Sequence, residues 1–305
     1  MRVASLMLAL PLAACTPKSP ALPRPVSSAV AQQRVEQHAL LTDYARAAIR
    51  TPPDSAHYDP FYAKYTEAEG LPVTASARVP DAAILAARDI MIHMLANRPD
   101  VRRAMIEQHF RVTVMAQAES TLDVPEQRNW KKPALDDPRL TDGERANYAR
   151  IAAMTDREYW NGRARGMGGR LTSGTEENIL GYPGTKYYGE NIFVHEFSHG
   201  IMSGIRTADP ALYAEILAAY ADAKAKGLYP HHYAINTPAE YWAEGTQWWF
   251  ESNFDEVFDG HPMRGPDDLK AYDPTLYAIF ARVYPDHHIP MDVFWARHIP
   301  PVRRP

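Results

Sequence analysis

The chain has 305 residues, 46% of them hydrophobic and 23% charged, and a formal net charge of -4. That length supports a sizeable buried core in one large domain or two small ones. The absence of a basic excess argues against nucleic acid as a partner, and a single cysteine, Cys15, excludes an intramolecular disulfide.

The first fifteen residues, MRVASLMLALPLAAC, carry Arg2, an apolar run from Val3 to Leu12, two alanines and Cys15. The run is too short to span a bilayer and has the parts of a secretory signal. Leu12-Ala13-Ala14-Cys15 resembles the lipobox of bacterial lipoproteins. The resemblance implies removal of residues 1–14 as a signal peptide and lipidation of Cys15. The product would be exported and held by its acyl chains on a membrane of the bacterial cell envelope, facing the periplasm or the outside. A plain secretory signal with an incidental cysteine is the alternative. Residues 15–29, rich in proline and serine, predict an extended tether, so the folded domain is expected over 30–305.

Apolar spacing predicts a helix over 31–50, and the proline- and tyrosine-rich stretch after it a surface connection. PDAAILAARDIMIHMLA, over 80–96, predicts a helix with Pro80 at its start. Pro99 opens another that runs to about His109. This helical region, roughly 30–105, is expected to shape one wall of a cleft. FRVTVMA, over 110–116, is β-branched and alternating, which predicts a strand. Residues 120–190 are irregular, and the glycine-rich RARGMGGR (163–170) lacks the context of a phosphate or dinucleotide loop, leaving a flexible loop. Helices are predicted from about 210, ending at Gly227, and from Thr237.

FVHEFSHGIM, residues 193–202, puts His195 and His199 four apart. On a helix both rings project from one face, one turn apart, as two imidazoles must to share a small cation such as zinc. Glu196 lies about 100° around, where it reaches a metal-bound water without binding the metal. HExxH thus offers two ligands and a general base from one turn. The competing reading is a core helix with two hydrogen-bonded histidines.

A catalytic zinc needs a third protein ligand and one open position. The metzincin continuation fails, because Met202 and Ile205 stand where it needs glycine and histidine. The aspzincin signature is absent after the helix; the similar GTKYYG (184–189) precedes it and lacks the aspartate. A glutamate from a second helix remains, and YAINTPAEYWAEGTQWWFE (233–251) offers Glu240 and Glu244, four apart on one face. One would bind metal while the other holds a ligand histidine in its tautomer. Thr237-Pro238-Ala239-Glu240 is also a capping box. Glu240 could therefore be closing its own helix, which would leave Glu244 as the ligand.

These residues resemble the gluzincins, zinc peptidases with HExxH and a distant glutamate, and most nearly the catalytic domain of the anthrax lethal factor family. That pattern is HEFxH, then a tyrosine, six residues, a glutamate and a second acid four further on. HEFSH (195–199), Tyr233, Glu240 and Glu244 match it. The resemblance covers about 190–254 and does not carry a substrate over. It implies that His195, His199 and Glu240 bind one catalytic Zn2+, that Glu196 is the base, that Tyr233 stabilises the oxyanion or protonates the leaving group, and that Glu244 supports a ligand. In such peptidases an edge strand beside the cleft pairs with extended substrate, for which FRVTVMA is the candidate.

Trp242, Trp248 and Trp249 read as core residues rather than a subsite. The pairs His231-His232 and His287-His288 read as surface histidines, and Glu176, Glu177 and Glu190 as surface acids. The expectation is a predominantly α, α+β zincin-like domain with a small sheet, an active-site helix and an N-terminal helical region. It would hydrolyse peptide or protein substrates. Two rivals stand beside it: a zinc hydrolase of a non-peptide amide or ester in the envelope, and a non-catalytic, partner-binding lipoprotein.

Overall fold

The computed structural model describes residues 49–137, 140 and 142–300. The signal, Cys15, the tether and nearly all of the helix expected over 31–50 lie outside these residues. At the end of that stretch Arg50 makes an isolated antiparallel bridge to Tyr65. No helix among the described residues is long and apolar enough to cross a membrane.

The described chain is α+β and mostly helical, with one four-stranded sheet. Its strands are β1 (Lys64–Ala68), β2 (Leu71–Ala75), β3 (Arg111–Met115) and β4 (Leu171–Thr175), in the order β1-β2-β3-β4. The pair β1–β2 is antiparallel, and β2–β3 and β3–β4 are parallel. The β1–β2 hairpin closes at Glu69 and Gly70, both at positive φ (49° and 95°), the handedness that suits a tight two-residue hairpin turn. The region expected to be helical therefore carries two strands as well.

Helices α1 (Asp81–Met94) and α2 (Pro99–Glu107) connect β2 to β3. Val112, Thr113, Val114 and Met115 are all buried, because β3 is covered on both faces. FRVTVMA is thus a central strand paired on both edges. Its backbone groups are used within the sheet, and it cannot be the substrate-pairing edge.

Between β3 and β4 lie three short helices, α3 (Asp142–Ala146), α4 (Tyr148–Ala153) and α5 (Asp156–Arg163). After β4 come α6 (Glu176–Ile179), the histidine-bearing α7 (Ile192–Ala208) and α8 (Pro210–Ala225). Then follow α9 (Pro238–Trp249), a small hairpin β5 (Glu256–Phe258) and β6 (His261–Met263), α10 (Pro266–Tyr272) and α11 (Pro274–Val283). Helix α7 packs on β4, α2, α8 and α9 and lies at the centre of the main core.

Two asparagines fix the start of α7. The Asn191 side chain accepts from Val194 N–H at 3.3 Å, and Asn178 Oδ1 accepts from Ile192 N–H at 2.8 Å. Asn178 also donates to the carbonyls of Tyr187 and Glu190, so three of its polar contacts anchor the approach to the helix. Helix α9 is pinned to α7 where the Trp242 indole donates to Ser198 O at 3.0 Å. Trp242 and Trp248 are wholly buried and Trp249 nearly so, as expected of core residues.

Candidate metal centre

His195 and His199 project from one face of α7 with ring centroids 5.0 Å apart. Glu240, in the first turn of α9, faces them. Its Oε2 lies 3.0 Å from His195 Nε2 and 3.6 Å from His199 Nε2. Ligand atoms of these three residues all fall within 4.8 Å of one another, so the group could hold a metal ion. Two neutral nitrogens and a carboxylate oxygen are a donor set that suits a first-row divalent cation.

Thr237 Oγ1 accepts from the Glu240 backbone N–H at 3.1 Å, which caps the helix. The Glu240 carboxylate is used elsewhere: Oε1 accepts from the Tyr233 hydroxyl at 3.0 Å, and Oε2 faces the histidines. The backbone thus does the capping, and the side chain stays with the metal group.

Glu244 lies on the opposite edge of the His195 ring. Its Oε1 is 3.6 Å from His195 Nδ1, and its Oε2 accepts from Asn253 Nδ2 at 2.7 Å. The direct partner of His195 Nδ1 is Gln247 Oε1, at 2.9 Å. The amide of Gln247 is oriented by Nε2, which donates to Asn191 O at 3.2 Å and faces Glu190 at 3.4 Å. This arrangement makes His195 Nδ1 the donor to Gln247 and turns Nε2 toward His199 and Glu240, where its lone pair would serve a metal once Nε2 gives up its proton. Gln247 has no place in the sequence reading. Its signal was its spacing on α9, seven residues after Glu240 and three after Glu244, on the same stripe.

The group opens into a pocket of about 420 Å³, lined by α7, α9, Tyr233, α5 and the segment after α5. None of its lining comes from residues 49–105. RARGMGGR is an ordered wall of this pocket. Met167 pairs with Ser173 of β4 in an antiparallel bridge, and Gly166 and Gly168 pass directly over α7. A Cβ on Gly166 would stand 3.0 Å from Glu196 Cγ and 2.7 Å from Ile192 Cγ2. One on Gly168 would stand 2.8 Å from His199 Cδ2. The glycines are there for close approach of backbone to helix.

The charges are unbalanced. Glu190, Glu196, Glu240 and Glu244 all face this pocket, and Arg163 lies across it, already paired with Glu144 at 2.8 Å. Burial and the Glu244 charge push the Glu190 carboxyl up to about 8. Burial raises Glu196 to about 7, against the lowering influence of His195 and the Gly168 N–H. Burial disfavours charge on His195, yet the surrounding glutamates raise it to about 10; burial and His195 together hold His199 down at about 4. Converging carboxyls that lose their protons reluctantly without a counter-charge fit a site that could hold a divalent cation. Glu190 is therefore a pocket residue, and Glu177 is buried and paired with Arg165 at 2.8 Å; neither is a surface acid.

The other histidine pairs stay apart from this group. His232 Nδ1 accepts from Ala234 N–H at 3.2 Å while His231 is exposed, and His287 packs on Trp249 and His288 on Trp295.

No protein-family model matches the chain, and no curated protein matches it. Among solved structures it is similar to the PRO-PRO endopeptidase PPEP-2 from Paenibacillus alvei. The TM-score is 0.43 and the identity 16%, over 70% of this chain and 97% of that one.

Proposed function

We propose that the protein is a zinc-dependent hydrolase of the gluzincin type that cleaves peptide bonds in peptide or protein substrates. The observation that carries this reading is the convergence of His195, His199 and Glu240 within 4.8 Å, with Glu196 beside them in an open pocket. Zinc held by these three side chains would supply a Lewis acid that polarises the scissile carbonyl and acidifies a water.

The chain's own residues do the rest. Glu196 takes the proton of the attacking water and returns it to the departing amine, a task served by a carboxyl raised toward neutrality. Tyr233 stands 40% exposed at the pocket mouth. Burial of its hydroxyl and the Glu240 carboxylate hold its phenol well above the ordinary range, so it stays a proton donor at neutral pH and can donate to the oxyanion. Gln247 holds the His195 ring in its tautomer, and Glu244, tied to Asn253, supports it from 3.6 Å. Export and lipid anchoring at Cys15 belong to the same proposal and rest on the N-terminal sequence alone.

The test is zinc content per chain by elemental analysis of wild type, Glu240→Ala and Glu244→Ala, followed by a peptide-library screen. One zinc in wild type, lost mainly in Glu240→Ala, with peptide cleavage abolished by Glu196→Gln, is the expected result. Loss of zinc mainly in Glu244→Ala would move the third ligand. A well-folded wild type that takes up no supplied zinc would overturn the proposal.

A further inference from the structure

The stripe of α7 that carries the two histidines does not end at His199. Four and seven residues on, Ser203 and Arg206 continue it. They face a second cavity, of about 260 Å³, between α7, α8 and the start of α9. His199 lines both this cavity and the pocket of the metal group, so one residue borders the two spaces.

The second cavity has the opposite electrostatic character. Its lining residues include no carboxylate, and they include Arg206, Ser203 and Tyr213. None of these three side-chain groups has a hydrogen-bond or ion-pair partner among the described residues. Arg163 and Arg165, by contrast, each hold a glutamate. Ala239, also in the lining, is the second residue of α9 after Pro238. Its amide has no carbonyl to bond within the helix, and the positive end of the helix dipole lies there. A cation, two hydroxyls and a free helix amide around one space are what binds an anion.

We infer that this cavity, with Arg206 as its specificity-determining residue, binds a carboxylate of the substrate on the α8 side of His199. The inference rests on the peptidase reading for the nature of the substrate. A peptide offers carboxylates from two sources, an acidic side chain or its C-terminus, and the chemistry at Arg206 is the same for both. With the carboxylate on the α8 side of His199 and the scissile bond in the neighbouring pocket, the two spaces together orient the substrate along α7. Arg206 touches none of the proposed metal ligands and sits on the surface, so its replacement leaves the fold and the metal group intact.

Binding and turnover are measured separately. Fluorescent peptides from a positional-scanning library are synthesised in matched pairs, Glu against Gln within the chain and free acid against carboxamide at the C-terminus. Affinity is read by anisotropy on the zinc-loaded full chain carrying Glu196→Gln, with and without Arg206→Ala or Arg206→Lys. The expected result is tighter binding of the acid member, on the order of tenfold, erased by Arg206→Ala and largely kept by Arg206→Lys. The responding pair identifies the source of the carboxylate. Equal affinity for acid and amide members, or a preference that survives Arg206→Ala, overturns the inference. On wild type the same peptides should show the preference in KM with kcat little changed. Peptides that bind with the acid preference but are not cut would overturn the hydrolase reading and leave the carboxylate site standing. Cleavage with no acid preference would do the reverse.

Discussion

The Tyr233 hydroxyl donates to Glu240 Oε1 at 3.0 Å, and the other oxygen of the same carboxylate lies 3.0 Å from His195 Nε2. One carboxylate therefore joins the proposed oxyanion donor to the metal group. Two roles for Tyr233 can be separated. Tyr233→Phe should keep one zinc per chain and lower kcat about 10²–10³-fold, the cost of one lost oxyanion donor. Elemental analysis beside steady-state kinetics checks this, and loss of zinc in place of rate would reassign Tyr233 to holding Glu240.

Gln247 reaches His195 directly, whereas Glu244 stands off at 3.6 Å. Gln247→Leu removes the acceptor that fixes the His195 ring and should weaken zinc binding about 10–100-fold. A competitive chelator titration measures it. The replacement also removes one of the two donors to Asn191 O and brings an apolar chain beside Glu190, so a lowered melting temperature is expected as well.

Gly168 passes so close to α7 that a methyl group would meet the His199 ring at 2.8 Å. Gly168→Ala should cost about 1–3 kcal/mol by overpacking and turn His199 away from Glu240. Zinc affinity and denaturant melts report the two effects. An alanine variant with unchanged affinity and stability would mean that the segment yields without disturbing the site.

Glu190 makes the metal-free protein sensitive to pH. Its carboxyl is raised to about 8 in the fold, so between the unfolded value near 4.5 and about 8 the folded chain holds a proton that the unfolded chain has lost. Stability from this group is fully present below pH 4.5 and falls as pH rises through 8. Glu196, raised to about 7, acts in the same direction. In chelator the melting temperature should therefore drop from pH 6 to 9. Glu190→Gln should flatten that slope, and zinc should reduce it by supplying the opposing charge. A steeper slope in Glu190→Gln would contradict this account.

Much of the site was legible locally. The spacing in HEFSH, Asp209 before Pro210, and Thr237 before Pro238 each specify helix geometry through contacts within a few residues, and α7, α8 and α9 follow them. The pairing of His195 with His199 needs nothing beyond the helical repeat. Asn191 caps α7 from three residues away, whereas Asn178 holds Ile192 N–H only in a fold that brings residue 178 to residue 192.

The sequence by itself determined the two histidines, the adjacent Glu196 and the pair of glutamates that could complete the group, because a helix places residues four apart on one face whatever surrounds it. Spacing alone could not rank Glu240 over Glu244, since both lie on the same stripe; only the resemblance to the gluzincins put Glu240 first. That choice belongs to the angle at which α9 crosses α7, set by Trp242 reaching Ser198 and by the packing beneath them. The central position of β3, the glycine wall at 166–168 and the burial of Glu190 are likewise non-local. Which strand is an edge, which loop is a wall and which acid loses its water depend on elements tens of residues away, and only the tertiary structure decides them.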